Sequence, residues 1–408
     1  MSPASERRDS WCYAYLSHSV ASSIMSVLIP LYLFDFLGGS LFDLGVMIAL
    51  ATLLRVPVSI LGVQLPERFG KLKPFMMISF LSSGLMLFLL AGTRDILLFQ
   101  IFYILLSPLD SVHPASKSVL VAESYQRKGW EAALARYNFM EGAASALGLA
   151  LCGAFIAGVG YPGMLKICGL LILTSLLLTP IFVRDPPLYV ERWLARIERP
   201  VDEANTLSHY MGFSGLQSRI RRVHSEKPRM GHFCFGHMAF SFAASCAFTS
   251  LPIYLYKMAL IPTSKVFTVF LSRSISGALS YPIVGRLIGG GGDKGAVKAG
   301  AGLRIFLSLF TPSIALVSLS LSPLISIIIL SLAAFSRALY SVGSNTLVLE
   351  YASEDTQGIY MALGGLGAAI GGFFGGIIAS VYGFDSMFMA SAIIFILAFL
   401  LFRRGLRD

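Results

Sequence analysis

Asp110 and His113 stand three residues apart in a long apolar stretch. On a helix that spacing places both side chains on one face. A carboxylate and an imidazole so arranged can relay a proton, because histidine titrates near neutral pH. A histidine that merely packs and hydrogen-bonds would use the same spacing. Further ionisable residues interrupt other apolar stretches: His18, Asp35, Arg55, Lys117, Glu141, His237, Arg273 and Arg337. A charge held at the centre of a bilayer costs roughly 2.5–3.5 kcal/mol on insertion scales, so each needs a partner or a water-filled cavity. Glu141 is a second candidate proton carrier. Arg55 and Arg273 can neutralise Asp35, Asp43, Asp110 or Glu141, and the sequence alone does not assign the partners.

Other chemistries find little support. Serines and histidines are scattered without a nucleophile, base and orienting acid in sequence context, so no enzyme is expected. The glycine run Gly289–Gly292 lacks the Gly-Lys-Ser/Thr ending of a phosphate-binding loop, which argues against direct use of ATP. His232, Cys234 and His237 cluster, but spacings of two and five do not share a helix face, so no metal is expected. The five cysteines are odd in number and lie in or beside apolar runs, so no disulfide framework is implied. No cofactor is called for.

The elements that must position these residues follow from composition. The 408 residues are 55% hydrophobic and only 13% charged, with mean hydropathy +0.73. So few charges cannot clothe a water-facing surface, and lipid admits only helices or closed barrels. The apolar runs do not alternate as barrel strands would, so an all-α integral membrane protein is expected. Runs long enough to span fall near 11–36, 42–64, 74–92, 95–120, 132–158, 163–183, 230–256, 265–288, 303–321, 323–348, 358–382 and 385–402. The first run is too long for a signal-peptide core and is read as the first span.

The net charge of +10 would suggest nucleic acid in a soluble protein. Here its distribution reads as topology instead, and no nucleic acid is expected. Arg7, Arg8, Arg68, Lys71, Lys73, Arg127, Lys128, Arg136, Lys294, Lys298, Arg403, Arg404 and Arg407 all fall on one side of the predicted spans. The positive-inside rule puts that side, and both termini, in the cytoplasm. The long polar loop 184–229 separates two sets of six spans, 1–183 and 230–408. Within it, Leu188–Ile197 reads equally as a surface-lying amphipathic helix anchored by Trp193 or as a solvated linker.

The two sets resemble each other. Pro30-Leu31-Tyr32-Leu33-Phe34 recurs as Pro252-Ile253-Tyr254-Leu255-Tyr256 at an offset of 222. Tyr137, Gly142, Gly148 and Gly153 recur as Tyr360, Gly365, Gly371 and Gly376 at 223, and Glu123 as Glu350 at 227. The drift is what small loop insertions produce, and a duplicated six-helix unit is the reading. Two like bundles can rock about a site between them. The glycine rows of the fifth and eleventh spans suit close helix packing in lipid, and equally a sliding contact. At the offset of 227, Asp110 and Arg337 are counterparts. Each lies about 21–23 Å along its span from the outer end, in the inner half of the bilayer.

With the duplication in place, Leu65-Pro66-Glu67-Arg68-Phe69-Gly70-Lys71-Leu72-Lys73 resembles the signature loop of the major facilitator superfamily. Glu67 stands where that family usually has Asp, and Pro66 where it has Ala or Ser. The resemblance covers essentially the whole chain. It implies a gating role for Glu67, Arg68 and Lys71 about the turn at Gly70, and a central cavity lined by spans one, four, seven and ten. The second-half counterpart, from Gly285-Arg286-Leu287-Ile288, is degraded. In span four, Asp110 and His113-Pro114 replace the arginine and glutamine-glycine of the family's drug exporters, which weakens that assignment.

The resulting expectation is two pseudo-symmetric six-helix bundles forming a secondary active transporter in the plasma membrane, coupled to protons rather than sodium, monomeric, moving a small organic solute. Asp110 and Arg337 are expected to face the cavity as a charge pair sensitive to substrate or proton, with a fixed structural pair as the alternative. Tyr13, Tyr15, Tyr103 and Tyr340 are expected nearby. Metabolite or drug export and nutrient uptake stay open. The other reading is a non-transporting sensor or assembly partner built on the same fold.

Overall fold

The computed structural model describes residues 11–69, 71–113, 130–183, 229–288, 293–318, 321–352 and 354–406. Among the described residues every regular element is helical. In chain order these are α1 (Trp11–Leu31), α2 (Leu41–Phe69), α3 (Lys73–Gly92), α4 (Ile96–Asp110), α5 (Trp130–Phe182), α6 (Met230–Thr249), α7 (Leu251–Lys257), α8 (Thr263–Ile288), α9 (Asp293–Phe310), α10 (Ser322–Tyr351), α11 (Glu354–Val381) and α12 (Gly383–Gly405). Among the described residues nine helices are long and apolar enough to cross a membrane. The outer faces agree: Leu177 is 68% exposed and Ile393 65%, as lipid-facing residues would be.

Local chemistry sets the helix ends. Ser40 and Asp43 cap α2 reciprocally: Ser40 Oγ accepts from Asp43 N at 3.1 Å, and Asp43 Oδ2 accepts from Ser40 N at 2.8 Å. Asp95 caps α4 by accepting from Leu98 N at 2.8 Å. Arg403 and Arg404 sit in the last turn of α12, where the helix dipole favours cations. Past α1 the chain widens into a π-helical turn over Tyr32–Phe36, which carries Asp35.

Among the described residues the helices follow the expected spans, with one boundary corrected. The fifth and sixth, expected at 132–158 and 163–183, are two helices within α5 that meet at Gly160, whose non-helical φ of 72° is open to glycine at no steric cost. The ninth begins at Asp293, ten residues before the expected 303. Its first turns carry Asp293, Lys294 and Lys298, which pulled the reading towards loop. The structure makes them helical, burying Ala296, Gly300 and Arg304 on one face at helical spacing.

α1 packs on α5, α6 on α11 and α12, and α8 on α10. The N- and C-terminal halves of the chain meet through α2 with α11 and α5 with α8. Glycine permits the closest of these approaches. A Cβ on Gly371 would run into the carbonyl of Phe242, and one on Gly45 would sit 3.0 Å from the Cα of Gly376. All five cysteines are buried and free, so none forms a disulfide. The segments 114–129, which includes Lys117 and Glu123, 184–228, which includes Leu188–Ile197, and Gly289–Gly292 lie outside the described residues, as does Gly70. Of Glu67 and Arg68 only the helical backbone at the end of α2 is described.

Candidate functional site

The end of α4 is where the candidate chemistry gathers. Pro108 lies in its last turn, and a helix end leaves carbonyls without helical donors. Inside a membrane those must find other partners. Ser79 Oγ donates to the Leu109 carbonyl at 2.6 Å, Ser111 Oγ to that of Pro108 at 2.7 Å, and Tyr15 OH to that of His113 at 3.2 Å. α1 and α3 thereby hold the α4 terminus, and with it Asp110 and His113, in place.

His18 approaches from α1. Its Nε2 lies 2.9 Å from Asp110 Oδ1, and His113 Nδ1 lies 3.9 Å from the same oxygen. An ionised carboxylate only accepts, so His18 donates through Nε2. The two imidazole rings meet edge to face with centroids 4.0 Å apart, and Phe80 backs both. His18 is 6% exposed and His113 4%, whereas the Asp110 side chain keeps 23%. The carboxylate is thus the open member of the group. It borders a cavity of about 140 Å³, completed by Arg55 of α2, by Tyr137, Glu141 and Ser145 of α5, and by serines of α1. Arg55 and Tyr103 both act electrostatically within this site, Arg55 on Asp110 and Tyr103 with each of them.

The donor atoms of His18, Asp110 and His113 all lie within 4.8 Å of one another, the one such group among the described residues able to hold a metal ion. Three donors are one short of a closed structural zinc site. The short His18–Asp110 hydrogen bond instead suits a proton held between imidazole and carboxylate.

The sequence-derived residues therefore divide into two groups. His18, Arg55, Asp110, His113 and Glu141 assemble around one cavity. Arg337 is not among them. The Asp110 carboxylate pairs with His18 and His113, and the expected pairing of Asp110 with Arg337 is absent from this structure. The carboxylate is already engaged within its own half. Arg273 and Arg337 lie instead within electrostatic reach of each other, together with Arg304 of α9. Arg304 was missed from sequence because it fell at the edge of a span placed ten residues late. The row Ala296, Gly300, Arg304, four residues apart, was the available signal. His237 belongs to neither group: Nδ1 lies 2.6 Å from Tyr340 OH, and the ring stacks on Tyr360 at 3.8 Å.

Contacts repeat along with the residues. Trp11 stacks on Tyr137 with centroids 5.4 Å apart and 12° between planes, and Phe233 stacks on Tyr360 at 5.7 Å and 6°. Those pairs are related by the offsets of the sequence repeat.

At the end of the bundle where α1 finishes, Asp35 ties the two halves of the chain together. Its Oδ2 accepts from Tyr161 OH and its Oδ1 from Tyr256 OH, both at 2.7 Å, and Tyr161 also lies 3.3 Å from Thr263 Oγ1. Lys257 stands over the ring of Phe34 at 5.1 Å.

The fold is shared with solved transporters at low sequence identity. A mutant of the nucleoside transporter NupG superposes with TM-score 0.74 at 13% identity, covering 98% of this chain and 100% of that one. The human organic anion transporter TETRAN gives 0.65 at 16%, covering 98% and 100%. A POT family transporter in complex with 5-aminolevulinic acid gives 0.71 at 11%, covering 98% and 96%. No curated protein matches the sequence. The family model described as Major Facilitator Superfamily matches residues 11–365, and the chain belongs to that superfamily of membrane transporters, which are not enzymes.

Proposed function

We propose that this protein is a proton-coupled secondary transporter that moves a small organic solute by alternating access. The observation that carries the reading is the Asp110 carboxylate, hydrogen-bonded to His18, beside His113, and open to a cavity within the helical bundle. An imidazole beside a carboxylate can take up and release a proton near neutral pH. Glu141 and Arg55 on the same cavity wall supply a second acid and a cation that can compete for Asp110. The proposed body is twelve spans in two six-helix bundles, residues 1–183 and 230–408, joined by a cytoplasmic loop at 184–229.

With both termini in the cytoplasm, the Asp35–Tyr161–Tyr256 contacts close the outer side, and this conformer is the one that releases or accepts solute from within. The charge distribution along the loops supports that orientation. The chain is placed in the plasma membrane as a monomer. Glu67, Arg68, Gly70 and Lys71 gate the inner side in this reading. The solved relatives, described as nucleoside, organic anion and POT family transporters, support a small polar solute.

The test is accumulation in proteoliposomes under an imposed pH gradient, across a panel of nucleosides, sugars, amino acids and carboxylates. Uptake that follows the proton gradient supports the reading. Uptake indifferent to pH across roughly 5–8 removes proton coupling, and no exchange of any panel member removes transport of these solutes.

A further inference from the structure

Three arginines of the C-terminal half, Arg273, Arg304 and Arg337, lie within electrostatic reach of one another with no acid paired to them among the described residues. Arg304 is 4% exposed. Its Nη2 donates to the Ala333 carbonyl of α10 at 2.9 Å, and its guanidinium lies over the Phe248 ring of α6 at 4.4 Å. Its Nε and Nη1 have no hydrogen-bond partner. Arg273 of α8 and Arg337 of α10 both act on it as further positive charges. Arg273 is half-buried beside the Phe270 ring at 5.9 Å, and Arg337 is the exposed member. Among the described residues no carboxylate stands within ion-pair distance of any of the three.

The packing holds this arrangement rigidly. Ser276 Oγ donates to the Ser331 carbonyl at 3.0 Å, tying α8 to α10, and Ser336 Oγ donates to the Gly300 carbonyl at 2.8 Å, tying α10 to α9. A Cβ on Gly300 would sit 2.8 Å from Tyr340 N, so glycine is needed for that approach. Arginine does not shed its charge in proteins. A buried guanidinium with two idle donors and two cationic neighbours is therefore suited to an anion supplied from outside the chain.

We propose that Arg273, Arg304 and Arg337 form an oxyanion-binding site that takes the carboxylate or phosphate group of the transported solute. The planar guanidinium fork suits either group, since both present paired oxygens. Arg337 is the group an entering anion meets first, and Arg304 offers the unsatisfied donors behind it. This inference rests on the transport reading for the solute's fate, whereas the site itself is a claim about binding at equilibrium.

The experiment measures binding to the purified full-length protein by calorimetry and thermal shift. The probes are succinate, inorganic phosphate and glucose 6-phosphate, with glucose and tetraphenylphosphonium as uncharged and cationic controls. The site predicts that at least one anion binds and the controls do not. It further predicts that R337Q and R273Q each weaken that binding about tenfold or more, with R337K less affected. Preference for succinate or for the phosphates identifies the group. Because R304Q can fail to fold, R337Q on the exposed arginine keeps the test decisive. Anion affinity unchanged by R337Q and R273Q, or no anion binding at all, overturns the site. Counterflow of the binding anion in vesicles is read separately: an anion that binds through these arginines but never crosses overturns transport and leaves the site standing.

Discussion

Asp110 Oδ1 lies 2.9 Å from His18 Nε2, a contact that joins α4 to α1 across 92 residues of chain. It fixes a partly buried carboxylate–imidazole pair at the edge of a cavity. Both rings around that carboxylate are nearly inaccessible, so a proton arriving from the cavity meets Asp110 first.

A pH profile follows. Imidazole is the side chain that ordinarily changes charge between about pH 5 and 8. Gradient-free solute exchange in vesicles should then change with pH across that range in the wild type. His18→Gln, which keeps a donor to Asp110 but does not titrate, should flatten the profile. A wild-type profile that persists in the variant assigns the titration to another group.

The Asp35 contacts predict a conformational bias. Asp35 accepts from two tyrosines on different parts of the bundle. Hydrogen bonds to a charged acceptor contribute about 1.5–3 kcal/mol each. Tyr256→Phe and Asp35→Ala should therefore raise the population in which this end is open. Spin-label distances across it, measured by pulsed electron resonance, should show a longer component that is weak in the wild type. Unchanged distances would show that the tyrosine contacts do not hold this end closed.

Close helix packing predicts a stability loss. At Gly371 a Cβ would run into the Phe242 carbonyl, and α6 lies directly against α11. Gly371→Val should destabilise the protein by about 1–3 kcal/mol or more, in the range of overpacked cores. The control is Gly158→Val, where a Cβ meets nothing within 4 Å. Equal melting temperatures for the two variants would contradict the packing.

The buried arginine predicts an unusual sign. Arg304→Met removes an uncompensated charge while keeping an apolar stem against Phe248. In buffer without multivalent anions the variant should melt no lower than the wild type, and higher if burial cost dominates. Added succinate or phosphate should stabilise the wild type and not the variant. A large loss of stability in both buffers would mean that the Ala333 hydrogen bond outweighs the charge.

Much of the fold was legible because hydropathy is a property of the chain itself. The run from Trp11 to Phe36 was read with the boundaries the structure gives it, and the signature beginning at Leu65 led to the superfamily that the family model confirms. One boundary was misread for a physical reason: Asp293, Lys294 and Lys298 made the start of α9 look like a loop, although charge at a membrane-facing helix end costs little.

Site residues were legible as a set and not as pairs. Intramembrane charges announce themselves by their rarity. Which of them touch depends on helix rotation and crossing angle, which spacing along one helix does not encode. Asp110 and Arg337 occupy matching places in the repeat, and that symmetry invited their pairing. The carboxylate turned to His18 instead, one helix away.

The most direct test of the central claim is solute-driven proton movement in proteoliposomes loaded with a pH-sensitive dye, comparing the wild type with Asp110→Asn at equal protein incorporation. The account predicts that a transported solute changes internal pH with the wild type, and that the substitution lowers this proton flux about tenfold or more. Proton flux of undiminished size in Asp110→Asn would contradict the assignment of Asp110 to the proton-coupling cluster.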